Sequence, residues 1–109
     1  MMTELTKIRK DFEKRKISDN SLKKLYFKYN NIGNINLFLK RARKLFPYLN
    51  CGIASVYLQN IFGGEIIQGK YKGNSHTFLK LNNKIIDITA DQYGGPKVYA
   101  GELRKPWKL

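Results

Sequence analysis

Through the first half of the chain apolar residues recur at helical intervals, and through the second half they alternate as strands do. Leu5, Ile8 and Phe12 share one helical face, which predicts an amphipathic helix over residues 3–16, with Thr3 or Thr6 available as its cap. Residues 17–20 break the pattern, and Leu22, Leu25 and Tyr29 then line one side of a second helix over 21–29. After a turn at 30–33, Asn34 can cap a third helix that runs to Leu45 and is stopped by Pro47. Leu37, Phe38, Ala42 and Leu45 would face inward there, leaving Lys40, Arg41, Arg43 and Lys44 to the solvent.

From Cys51 the character changes. Residues 51–62 (CGIASVYLQNIF) place Ile53, Ala54, Tyr57, Leu58 and Ile61 at helical offsets, and Gly63-Gly64 ends the run. Three short segments rich in β-branched and aromatic residues follow, 65–72, 76–81 and 85–89, with a fourth at 97–100. Asn82-Asn83 between two of them suits a tight hairpin, because Asn tolerates the positive φ that such turns require. The expectation is an α+β domain: basic N-terminal helices, then a Cys-bearing helix packed on an antiparallel sheet of about three or four strands.

A chain of 109 residues with 42% hydrophobic content supports one compact core and leaves no room for a second domain. Its parts are a basic helical segment at 1–49, a candidate catalytic core at 50–95, and a C-terminal strand and tail at 96–109. One Cys and one His exclude an intramolecular disulfide and a two-Cys, two-His zinc site, and nothing in the sequence calls for a cofactor. No apolar run is long enough for a membrane span, and the first residues lack the hydrophobic segment of a secretory signal. A cytoplasmic protein is expected, or one delivered into a target cell without a classical signal. The formal charge is +13, with 13 basic and 4 acidic residues in the first fifty. Clusters such as Arg9, Lys10, Lys14, Arg15 and Lys16 could neutralise nucleic-acid phosphates or an acidic protein surface, or simply form a solvated face. Trp107, in the basic tail, is expected to dock on the core.

Three residues carry candidate chemistry. Cys51 opens a helix, where free backbone amides and the helix dipole favour the thiolate, the nucleophilic form of cysteine. If Asn82 and Asn83 form a two-residue loop, Leu81 opposes Lys84 and Phe78 opposes Asp87, so His76 lies two residues along on the face of Asp87. Asp87, between Ile86 and Ile88, needs a partner if it is buried, and His76 is the nearest candidate, with Lys80 and Lys84 as structural alternatives. Nucleophile, base and a group that fixes the base's tautomer are the parts of a thiol hydrolase. The Cys51 amide would be one oxyanion donor, with the side chain of Asn50 or Gln92 as a second.

The segments NCGIASVYLQNIFGGEII and HTFLKLNNKIIDITADQYG resemble the catalytic core of the papain-like and transglutaminase-like cysteine enzymes. In that superfamily a Cys opens a buried helix, and a His on one strand is partnered by an Asp on the next. The resemblance implies Cys51 as nucleophile, His76 as general base and Asp87 as orienting carboxylate. It covers about 45 residues, from Asn50 to Gly95, and leaves the basic helices unexplained. The His-to-Asp interval of 11 residues is tighter than in many members, and Phe78 stands where a Trp is frequent.

The function expected from this pattern is a cysteine hydrolase or acyltransferase acting on an amide through a thioester: a peptidase, an amidase or deamidase, or a transglutaminase-type enzyme. Small size and basic charge would suit a bacterial toxin or effector, or a phage protein. The alternatives are a basic nucleic-acid-binding protein or nuclease, with Tyr26, Phe27 and Tyr29 for stacking, and a non-catalytic papain-like adaptor for an acidic partner.

Overall fold

The structure, a computed structural model, describes residues 1–27, 35–46 and 50–109. The expected features at Tyr29, residues 30–33, Asn34 and Pro47 lie outside them, as do the side chains of Tyr26, Phe27 and Arg43. The described chain is α+β, with four α-helices and a curled five-stranded antiparallel sheet. The helices are α1 (Met2–Glu13), α2 (Asp19–Phe27), α3 (Ile35–Leu45) and α4 (Cys51–Phe62). The strands are β1 (Glu65–Tyr71), β2 (Asn74–Leu81), β3 (Lys84–Asp87), β4 (Tyr99–Glu102) and β5 (Trp107–Lys108), in the sheet order β4-β3-β2-β1-β5. A 3₁₀ helix, Ala90–Tyr93, follows β3.

Leu5, Ile8 and Phe12 are buried on α1 as their spacing requires, and Arg9 is buried among them. Position 9 is one turn beyond Leu5 and lies on the same face, so Arg9 is removed from the basic surface to which its charge assigns it. Helix α2 begins at Asp19, two residues before the expected start. Ser18 caps it: its Oγ accepts the Ser21 amide at 3.2 Å, and its carbonyl accepts the Leu22 amide. On α3, Leu39 and Ala42 face the core while Leu37 and Leu45 are exposed, a rotation of the inward face from the one expected. Lys40, Arg41 and Lys44 do point outward. Helix α4 keeps the expected bounds, with Ile53, Ala54, Val56 and Leu58 buried, but Ile61 in its last turn is exposed.

Asn82 and Asn83 both adopt positive φ, 51° and 66°, and the hairpin register is Leu81↔Lys84, Lys80↔Ile85, Leu79↔Ile86. This is the two-residue loop on which the His76–Asp87 argument depended. Strand β3 stops at Asp87 instead of Thr89, because Thr89 turns the chain into the 3₁₀ helix. The β4 strand lies two residues later than expected, and β5 makes the sheet larger than three or four strands. Strand β5 pairs with β1 at Lys70↔Lys108 and Tyr71↔Trp107.

Two apolar clusters form, one on each side of the sheet. Leu79 and Ile86 join the helices on one side. Tyr71, Phe78, Ile85, Ala90 and Trp107 fill the other, inside the curl. The curl brings the edge strands together, so that Tyr99 of β4 stacks on Trp107 of β5 with ring centroids 4.2 Å apart. Gly69 is required where this closes: a Cβ there would fall 2.3 Å from the Lys108 carbonyl oxygen and 3.0 Å from the Phe78 ring.

Candidate active site

The β2–β3 ladder ends at Leu79↔Ile86, yet β2 continues to Asn74 alongside β1. Beyond that last rung β2 has an open edge, and the candidate residues gather there. Cys51 is delivered by α4, which packs on the Leu79 side of the sheet. By alternation His76 shares the Phe78 side, inside the curl. Thiol and imidazole therefore approach from opposite faces and meet at the edge.

Asp87 stands one position past the end of the ladder, and its carboxylate reaches His76 Nε2 at 2.6 Å, with both side chains almost wholly buried. Three other donors fix that carboxylate. The Thr89 amide donates to Oδ1 at 2.9 Å, the Thr89 hydroxyl lies 3.4 Å from the same oxygen, and the Trp107 indole N–H donates to Oδ2 at 2.8 Å. Neither Lys80 nor Lys84, the structural alternatives, pairs with Asp87, and Lys84 is exposed opposite Glu102. A buried carboxylate fixed by these donors holds the imidazole ring in one orientation.

With Nε2 bonded to Asp87, Nδ1 is the ring nitrogen left for the Cys51 thiol, and it lies 3.2 Å from the Gln92 side-chain amide. Burial alone would push the Cys51 thiol up. The hydrogen bond from His76, the Thr77 amide, the imidazolium charge and the Thr77 hydroxyl outweigh it and bring the thiol below its ordinary value. Burial likewise pushes His76 down, but the bonds to Asp87 and Cys51 and their charges raise it to about 9. The two shifts favour a thiolate–imidazolium pair. Tyr93 closes one side of the ring edge-on, with centroids 5.6 Å apart, and its hydroxyl donates to the Ser75 carbonyl.

The two oxyanion candidates separate. Asn50 is buried and its side-chain amide donates to the Ala42 carbonyl at 2.8 Å, so it ties α3 to the start of α4 instead of facing the thiol. Gln92 lies at the site, its side-chain amide 3.2 Å from His76 Nδ1. Among the described residues no group of three His, Cys, Asp or Glu side chains gathers as a metal site. No helix among them is long and apolar enough to cross a membrane.

A family model described as YunG protein matches residues 47–106, more than half of the chain. The chain belongs to the YunG family. No curated protein and no solved structure matches it. The YunG match takes in Cys51, His76, Asp87 and Gln92; it stops one residue short of Trp107 and leaves α1 outside.

Residues on both sides of the YunG segment support the site: Trp107 after it, through its bond to Asp87, and Arg9 before it. The Arg9 guanidinium grips the Asp91 carboxylate at 2.6 and 2.8 Å, donates to the Ile88 carbonyl at 2.7 Å and lies 4.5 Å over the Phe46 ring. Asp91 directly precedes Gln92, so α1 anchors the turn that presents this amide to His76. Sequence reasoning singled out neither Arg9 nor Thr89 for these roles, and it gave Trp107 a place on the core but no bond to Asp87. The Asp-x-Thr spacing was a usable signal for Thr89, since Asp side chains commonly accept the amide two residues on. Trp107 is 20 residues from Asp87 and carries no local signal.

Proposed function

We propose that this YunG-family chain is a cysteine-dependent acyl-transfer enzyme of papain-like or transglutaminase-like design, acting on an amide. The observation that carries the reading is the buried 2.6 Å bond from His76 Nε2 to Asp87, which orients the ring and leaves its other nitrogen to serve a thiol at a helix N-terminus. Order along the chain supports the superfamily: Cys on a helix, His on a strand, Asp at the end of the next.

In this reading the Cys51 thiolate attacks the amide carbonyl carbon, and the C=O π pair moves onto oxygen. The Cys51 amide N–H, in the unbonded first turn of α4, and the Gln92 side chain supply donors to that oxyanion. As the carbonyl re-forms and the C–N bond breaks, His76 passes its Nδ1 proton to the leaving nitrogen, leaving a thioester on Cys51. Neutral His76 then takes a proton from water or an amine, which displaces the thiolate. Asp87 holds the ring in place throughout and stabilises the imidazolium. Hydrolysis, deamidation and transamidation use the same parts.

The test offers glutamine- and asparagine-containing peptides and simple N-acyl amides with hydroxylamine as acceptor. Hydroxamates should form with the wild type and not with Cys51→Ala or His76→Ala. Formation that survives Cys51→Ala, or a wild type that yields none across the panel, contradicts the proposal.

A further inference from the structure

Alternation along β1 sorts its side chains between the two clusters: Ile66 packs with the helices, and Ile67 and Tyr71 pack inside the curl. Lys70 therefore projects on the helix side, the side from which Cys51 approaches. It stands directly opposite Ser75 of β2 and Lys108 of β5. Ser75 is two residues, about 7 Å, along β2 from Thr77, the residue beside His76 whose backbone helps to lower the Cys51 thiol. Two exposed lysines thus stand side by side on the helix face of the sheet, level with Ser75, Lys70 one strand and Lys108 two strands across from β2.

Like charges placed directly across a sheet destabilise it, so such a pair is kept at a cost unless something negative sits between them. Nothing in the described chain does so. The ion pairs of the described residues are made by Met1, Lys7, Arg9 and His76, and none involves Lys70 or Lys108. The two carboxylates at this end of the sheet, Asp87 and Asp91, are held by His76 and Arg9. A third cation lies on the imidazole side: Lys72 holds a φ of 50°, uncommon for a residue other than glycine, with its Nζ 5.9 Å from the Tyr71 ring centroid. That ring is edge-on to His76 at 6.0 Å.

We infer that Lys70 and Lys108, flanked by Lys72, form an anionic subsite, and that the acyl-transfer site takes an acidic peptide with an Asp or Glu two or three residues from the reacting amide. The inference rests on the acyl-transfer reading and narrows its substrate. The spacing follows from the chain: an extended peptide rises about 3.3 Å per residue, so two residues span the rung and lysine side chains cover the rest. A peptide fits better than a nucleic acid because the aromatic rings beside these lysines, Tyr71 and Trp107, are buried and offer no stacking platform.

The experiment compares alkylation of Cys51 by iodoacetate, an anion, with alkylation by neutral iodoacetamide at low ionic strength. Lys70→Gln/Lys108→Gln should lower the iodoacetate-to-iodoacetamide rate ratio about two- to threefold, as the loss of two solvent-screened charges one and two strands from β2 would. The iodoacetamide rate itself should hold. Lys24→Gln/Lys84→Gln removes the same charge from exposed positions elsewhere and should leave the ratio unchanged. Hexaglutamate should protect Cys51 in the wild type, hexaglutamine should not, and the lysine double variant should lose the protection. A reactive thiol whose ratio is unchanged, or falls equally in both double variants, overturns the subsite and leaves the acyl-transfer reading standing. Stronger protection by hexathymidylate than by hexaglutamate overturns the peptide in favour of a nucleic acid. A thiol inert to both reagents overturns the acyl-transfer reading and the subsite with it.

Discussion

Arg9→Met tests whether the N-terminal helix is clamped to the turn that carries Asp91 and Gln92. Arg9 is 5% exposed and makes four hydrogen bonds, two to Asp91 and one each to Ile88 and Glu13. Breaking a buried, hydrogen-bonded ion pair from one side costs about 3–5 kcal/mol, because the remaining charge is left without a partner. Asp91 keeps 18% exposure and can recruit some water, which places the expected loss near the lower end, about 3 kcal/mol. A domain of this size has roughly 5–15 kcal/mol in all, so the variant should fold but with its urea midpoint lowered by about 2 M at a slope near 1.5 kcal/mol per molar. Methionine retains most of the packing against Phe46, so the loss reports the polar contacts. A double-mutant cycle with Asp91→Asn should give a coupling of about 2 kcal/mol. A loss under 1 kcal/mol, or additive effects of the two changes, would refute the clamp and return Arg9 to the basic surface.

Three further outcomes follow from the site and its frame. Asp87→Asn removes the charge that supports the His76 imidazolium; the thiolate loses its counter-ion, and the acid limb of the Cys51 alkylation profile should move to higher pH by a unit or more, whereas an unmoved limb contradicts the coupling. Trp107→Phe keeps the stack on Tyr99 but deletes the indole donor to Asp87, and should cost about 2 kcal/mol in urea denaturation followed by circular dichroism; under 0.5 kcal/mol would show that the bond contributes nothing. Gly69→Ala drives a methyl into the Lys108 carbonyl and the Phe78 ring, and should cost about 1–3 kcal/mol, with amide exchange at Trp107 and Lys108 accelerated most; a neutral effect would contradict the close crossing of β1 and β5.

What could be read in advance was what local chemistry dictates. Paired Asn residues at positive φ fix the β2–β3 register, and the register alone brings His76 and Asp87 to one side. The Gly-terminated apolar run of α4 places Cys51 at a helix start. Side-chain roles set by distant contacts were harder to see. Arg9 was read by its charge, although its position between Ile8 and Phe12, four residues after Leu5, put it on the buried face and was a usable signal. The two-residue β5 is too short to show any period, and only its pairing with β1 makes it a strand. Asn50 had the composition of an oxyanion donor, but a buried Ala42 carbonyl on α3 claims its amide. Tertiary partners decided each of these, and a single sequence does not display them.

If Cys51 and His76 act as one ionisable unit, the pH dependence of Cys51 alkylation by iodoacetamide shows it, measured in the wild type, in His76→Ala and in the urea-unfolded chain. The account predicts a folded thiol that reacts well below the pH at which the unfolded thiol does, and an apparent pKa that climbs back toward about 8.5 when His76 is removed. A folded thiol that titrates like the unfolded one, or whose profile ignores the loss of His76, would contradict it.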